Sequence, residues 1–163
     1  MNQATDRLYS LRVADVMNRG VVTVQADQSM SEAAAVFARW RIAAAPVVGA
    51  DGDCVGILSA TDFLRREAEN GSRATCGNAA AMMGPPRERV ADFMSHAVQT
   101  VAPETTLLAA ARIMCVQHVH RLVVLDSHER PIGVVSTMDV VSSLVGALDE
   151  MTATNSTSGA AQN

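Results

Sequence analysis

A chain of 163 residues with 13 basic and 17 acidic side chains has a net charge of −4, enough chain for one compact unit or two half-domains sharing a core. It lacks the concentrated positive surface that a nucleic-acid footprint needs. Every basic residue is arginine, which excludes a P-loop lysine, a Schiff base and a lysine general base and leaves arginine and histidine as the phosphate-binding side chains.

Residues 1–11 read as a loosely held arm, polar at the start, with no apolar run of signal-peptide form. No stretch approaches the ~18 uninterrupted apolar residues of a membrane span. From Val13 a repeat begins: Val13-Ala14-Asp15-Val16-Met17 returns later in the chain as Val90-Ala91-Asp92-Phe93-Met94. The same offset holds without insertion through Val24 and Val101, Gly56 and Gly133, and Asp62 and Asp139, with 13 identities over positions 13 to 64. A self-match of fixed period marks a repeated supersecondary unit.

Within the first repeat, Val21-Val22-Thr23-Val24 predicts a short strand, and Ser29-Met30-Ser31-Glu32 has the form of a capping box opening a helix. Met30, Ala33, Ala34, Phe37 and Ala38 form its apolar stripe, with Leu107, Ala110, Ala111, Met114 and Cys115 as the twin. Ala45-Pro46-Val47-Val48 is the next strand, and Asp51-Gly52-Asp53 turns into Val55-Gly56-Ile57-Leu58. The segment then reads Ser59-Ala60-Thr61-Asp62 into an apolar run, a strand feeding a helix. The second repeat has Leu122-Val123-Val124-Leu125, a turn over 126–131, and Ile132-Gly133-Val134-Val135-Ser136-Thr137-Met138-Asp139. The fold class is therefore α/β (α+β), two β-α-β-β-α units at 12–68 and 89–148. Residues 69–88 form a linker with a helical piece at Ala79 to Met83, and 149–163 a disordered tail.

Cys54, Cys76 and Cys115 lack a CxxC pair, so they read as core filler in a reducing, cytoplasmic protein and give neither a disulfide framework nor a zinc site. No catalytic triad, nucleotide-binding glycine fingerprint or metal cluster appears, and no enzyme activity is expected.

Two such units, each with Val-x-Asp-x-Met, a strand ending Pro-Val-Val or Val-Val-Leu, and Gly-[Ile/Val]-[Leu/Val]-Ser-x-x-Asp, resemble a tandem of CBS domains, the regulatory module named after cystathionine β-synthase. The resemblance implies two repeats packed about a pseudo-two-fold axis, with clefts that take adenosyl ligands such as AMP, ADP, ATP or S-adenosylmethionine. It also implies a homodimer through the CBS helices, here through Phe63, Leu64, Val140, Val141, Leu144 and Val145. No cofactor is required beyond the regulatory nucleotide, and the implied role is sensing of cellular energy or a related adenosyl signal, relayed to an unidentified protein partner. By the same resemblance, Asp62 and Asp139 take ribose hydroxyls, Ser59 and Ser136 contact ribose or phosphate, and Val22, Thr23 and Thr100 flank adenine.

The family's cationic strand survives in the second repeat as His120-Arg121-Leu122-Val123, while the first has Ala43-Ala44-Ala45-Pro46. The resemblance thus favours one dominant site: ribose on Asp62, helix start at Ser59, phosphates on His120 and Arg121. A plainer reading stands beside it, because Ser-x-x-Asp is also a serviceable helix cap. A ligand-free scaffold for dimerisation and a nucleic-acid-binding CBS protein are the alternative functions.

Overall fold

The computed structural model describes residues 9–74 and 88–158. The elements run α1 (Val13–Val16), β1 (Val24–Gln25), α2 (Met30–Trp40), β2 (Ala44–Val48), β3 (Cys54–Ser59), α3 (Ala60–Ala74), α4 (Val90–Phe93), β4 (Thr100–Val101), α5 (Leu107–Gln117), β5 (Arg121–Leu125), β6 (Pro131–Ser136) and α6 (Thr137–Ser158). There are two three-stranded sheets, ordered β1-β2-β3 and β4-β5-β6. In each, the short first strand joins the second in parallel, Val24 opposite Val47 and Thr100 opposite Val123. β2 and β3 run antiparallel with a register shift between Val47 and Val48. The turn between them uses Gly52 at φ 83°, with the Gly49 and Asp53 backbones bonded across it, a conformation for which glycine has no Cβ penalty.

The packed units are not the sequence repeats. One unit gathers residues 1–20, 99–127 and 132–163, and the other 21–98 and 128–131. Each sheet is thus completed by the leading Val-x-Asp-x-Met of the other repeat. In the first unit Val13 N and Ala14 N donate to the Thr105 and Pro103 carbonyls, and Leu107 N donates to Leu11 O. In the second, Val90 N and Ala91 N donate to Gln28 O and Ala26 O, and Met30 N to Glu88 O. These are the same bonds moved along by one repeat. Short helices α1 and α4 leave several N–H groups without intrahelical partners, and the turn carbonyls ahead of α5 and α2 satisfy them.

The leading motif is explained by this packing. Val13 and Val90 are fully buried, one in each core. Asp15 and Asp92 accept from the Arg12 and Arg89 backbone N–H at 2.8 and 3.0 Å, closing the helix starts. The chain then adds to the sheet edge, Asn18 bridging Val134 in one unit and Ser95 bridging Ile57 in the other. There Met17 and Met94 lie against Gly133 and Gly56, where an added Cβ would stand 2.6 Å from the sulfur in both cases. The repeated glycine is a seat for this crossing segment.

Several sequence expectations are corrected. The first strand is only Val24–Gln25, so Val21–Thr23 approach it as irregular chain. The helix stripes bury Met30, Ala33 and Phe37, and Leu107, Ala110 and Met114, whereas Ala34, Ala38 and Cys115 face outward. Cys115 is therefore not core filler, and Cys54 is only partly buried, with burial pushing its thiol pKa up; Cys76 lies outside the described residues. The end of the arm is held, since Leu11 packs on the first core as well as bonding Leu107. α3 continues to Ala74, past residue 69 where the linker is expected to begin, and Ala79 to Met83 lie outside the described residues. α6 continues through Ser158, well into the segment expected to be disordered, as helix propagation adds one hydrogen bond per residue once a helix is nucleated.

Candidate functional site

Both Ser-x-x-Asp motifs sit where the last strand of a sheet turns into a helix. Ser59 ends β3 ahead of α3, and Ser136 ends β6 ahead of α6. In each, one aspartate oxygen, Oδ2, accepts both the serine backbone N–H and its hydroxyl: 2.7 and 2.7 Å from Ser59 to Asp62, 2.7 and 2.6 Å from Ser136 to Asp139. The Asp139 backbone N–H returns a bond to Ser136 Oγ at 3.3 Å. The first helical N–H groups are engaged as well, Ala60 N by Ala43 O and Thr137 N by His120 O. In the second repeat the motif is therefore a reciprocal cap, and in the first the carboxylate half of that cap is formed. Of each carboxylate only Oδ1 is left to meet anything else.

The two outer oxygens differ. Asp62, 8% exposed, pairs through Oδ1 with Arg65 at 3.2 Å. Arg65 also donates to the Phe93 carbonyl at the end of α4. At the equivalent place in the second repeat stands Ser142. Among the described residues no side chain meets Asp139 Oδ1. The sequence reading missed Arg65, although its i+3 spacing from Asp62 against a serine in the twin was a readable signal.

Around these acids the structure gathers part of the expected set within each unit. In the first unit the His120 carbonyl touches the start of α6, Arg121 opens β5, and Thr100 pairs in β4 beside it, all with exposed side chains. In the other, Val22 and Thr23 precede β1 and are partly buried, and Ala43 touches the start of α3. Asp62 and Ser59 belong to one unit, and His120 and Arg121 to the other. The strand pairing also differs: Val123 N donates to Gln99 O, but its counterpart Pro46 has no N–H to offer Val22 O. Among the described residues no N–H meets the Val22 carbonyl, which leaves an acceptor at the edge of that unit.

Trp40 is 57% exposed at the end of α2, with the Arg39 guanidinium carbon 5.8 Å from its ring centroid. No group of three His, Cys, Asp or Glu side chains suited to a metal ion occurs among the described residues. Of the helical residues expected to form an apolar outer face, Phe63 instead packs edge-on against Phe37 with centroids 5.1 Å apart, and Val140 packs on the first core. Leu64, Val141, Leu144 and Val145 are exposed, together with Met138 and Leu148. No helix among the described residues is long and apolar enough to cross a membrane.

Sheets completed by exchanged leaders, with a capped Ser-x-x-Asp at each strand-to-helix turn, define a tandem α/β module. The CBS domain family model matches residues 13–69 and 90–146, more than half of the chain, and the chain belongs to the CBS domain family. It is 24% identical over 153 residues to an uncharacterized protein, MJ1426, of Methanocaldococcus jannaschii, covering 82% of this chain and 90% of that one. It also matches homoserine O-acetyltransferase of Methanococcoides burtonii, 28% identical over 128 residues, and spans 78% of this chain but only 23% of that protein's length. Among solved structures it is similar to CBSX2 in complex with AMP, with TM-score 0.66, 22% identity, and 83% and 97% of the two chains covered. It is likewise similar to the CBS domain pair of MJ0100 in complex with 5'-methylthioadenosine and S-adenosyl-L-methionine, with TM-score 0.63, 21% identity, and 80% and 97% covered. At these identities the likeness establishes the fold.

Proposed function

We propose that the chain is a regulatory module that binds an adenosyl ligand and passes its occupancy to a partner through a change in the arrangement of its repeats. The observation that carries this reading is the outer oxygen of Asp139, presented by a rigid cap with no described side chain on it. A carboxylate so held can accept from a ribose diol, and its geometry is fixed before the ligand arrives. AMP, S-adenosylmethionine and 5'-methylthioadenosine, the compounds bound by the similar structures, share an adenosine with that diol. The reading assigns ribose to Asp139 and Asp62, sugar or phosphate contacts to Ser136 and Ser59, phosphate to His120 and Arg121, and the base to the chain around Val22, Thr23 and Thr100. Ligand binding regulates only if one arrangement of the protein binds better than the other. The chain is taken to act in the cytoplasm, without chemistry of its own.

The exposed apolar residues of α6, Met138, Val141, Val145 and Leu148, recur at three and four residues. That spacing makes one stripe on a helix, and the proposal includes a homodimer formed through it. Val141→Glu with Val145→Glu is expected to shift the chain to monomer in sedimentation; an unchanged sedimentation coefficient removes the stripe from the interface.

One observation favours a second reading, a ligand-free scaffold: both Ser-x-x-Asp motifs are already satisfied as caps. Thermal melting with AMP, ATP, NAD and S-adenosylmethionine separates the two. A ligand at 100 times its dissociation constant stabilises by about 2.7 kcal/mol, a shift of several degrees for a chain of this size. No shift with any of the four supports the scaffold.

A further inference from the structure

The two ribose candidates are chemically alike and differently surrounded. As acceptors the two carboxylates are alike, each taking the backbone N–H and hydroxyl of its own serine, at 2.7 and 2.7 Å for Asp62 and 2.7 and 2.6 Å for Asp139. What separates them is Arg65, which lies at i+3 and closes on Asp62 Oδ1 at 3.2 Å, against Ser142 in the twin. An exposed ion pair by itself contributes little, and the Arg65 side chain is 53% exposed. Two features raise its effect here. The Asp62 side chain is only 11% exposed, so the carboxylate has few competing water contacts. Arg65 is also anchored at a second point, the Phe93 carbonyl, which reduces the side-chain entropy that a lone pair would forfeit.

A diol reaching Asp62 must displace the guanidinium from Oδ1 or share the oxygen with it. In the same unit Pro46 cannot make the bond that Val123 makes in the twin, and among the described residues no N–H meets the Val22 carbonyl, so an acceptor for the amino group of a base is offered there. The arginine is thus the group standing between that unit and a nucleoside.

We propose that Arg65 is a specificity-determining residue that holds the Asp62 carboxylate closed to a sugar diol, so that Asp139 is the acid that takes ribose first. This rests on the reading that the Ser-x-x-Asp acids are ribose acceptors. It reverses the order of the sites expected from the cations His120 and Arg121 alone.

The test is calorimetric titration of the full chain with adenosine and with AMP. The native chain is expected to show one tight site, lost in Asp139→Asn and retained in Asp62→Asn. Arg65→Ser, which installs the residue of the second repeat, is expected to tighten the weaker site about three- to tenfold, the range set by an ion pair with one buried partner. That gain is expected to vanish in Arg65→Ser combined with Asp62→Asn. Arg65→Lys keeps a charge on a shorter side chain, while the native contacts to Asp62 and Phe93 both come from the Arg65 Nη2, and is expected to fall between; it also carries the comparison if the serine variant melts early. Loss of the tight site in Asp62→Asn, or an Arg65→Ser chain whose weaker site is unchanged or weakened, overturns the inference and leaves the ribose reading standing. Absence of binding in the native chain and every variant overturns the ribose reading and the inference together.

Discussion

Gly56 and Gly133 show how a single residue can be mistaken for part of a ligand motif. Both stand just ahead of Ser-x-x-Asp, yet what they accommodate is a methionine and a backbone carbonyl from the leading segment. A Cβ at Gly56 would lie 2.6 Å from Met94 Sδ and 2.9 Å from the Ser95 carbonyl oxygen; at Gly133 the distances are 2.6 Å to Met17 Sδ and 3.2 Å to the Asn18 oxygen. A methionine end can swing aside, whereas a backbone oxygen held in a bridge cannot. Gly56→Ala is therefore expected to destabilise by about 1–3 kcal/mol, as overpacking does, and by more than Gly133→Ala. Urea melts of the two variants check this, and equal losses would assign the cost to the methionines alone. Asp62 makes a related point: its type and spacing were readable, and Arg65 at i+3 made a pair possible, but that the guanidinium closes on Oδ1 was decided by the surrounding chain, which fixes the rotamer.

At the level of elements, α2 and its start were legible in detail. Ser29 Oγ accepts the Glu32 backbone N–H at 3.2 Å, and the Glu32 carboxylate accepts the Ser29 backbone N–H and hydroxyl at 3.0 and 2.8 Å, the reciprocal pair that Ser-x-x-Glu encodes. Those bonds, first the Ser29 hydroxyl and then its N–H, hold the Glu32 pKa below the ordinary carboxylate value. A group depressed on folding stabilises above its unfolded pKa and loses that contribution as pH falls through the folded one. Removing the Ser29 cap acceptor, as in Ser29→Ala, is expected to cost about 1 kcal/mol at neutral pH, with the difference from the native chain shrinking as acid protonates Glu32. A pH series of thermal melts reads it; a constant difference would place the whole effect on the Ser29 acceptor. The left-handed stop that closes α2 was not legible. The helix closes on Arg41 at φ 52°, and α5 closes on His118 at φ 53°, a left-handed position usually given to glycine. Neither residue type announces such a stop.

For the whole molecule the exchange of leaders has a direct consequence. Val13 and Met17 belong to the core that surrounds Leu122, Val124 and Val135, and Val90 to the core that surrounds Val24, Val47 and Leu58. A half-chain cut between the repeats lacks the leader that closes its own sheet. Residues 1–88 and 89–163 expressed alone are expected to give broad, non-cooperative melts, and their mixture a single cooperative one; sharp independent melting of either half would contradict the exchange. The duplication, the β-α-β-β-α order, the capping serines and the two aspartates were determined by the sequence by itself, because they follow from local periodicity, hydrogen-bonding groups at fixed spacing and a repeat of constant length. Which leader closes which sheet, what each glycine accommodates, and which aspartate oxygen is already taken were decided only by the tertiary structure. Those outcomes depend on contacts between segments distant along the chain, and a constant repeat offset is equally consistent with each repeat folding on itself or borrowing from the other.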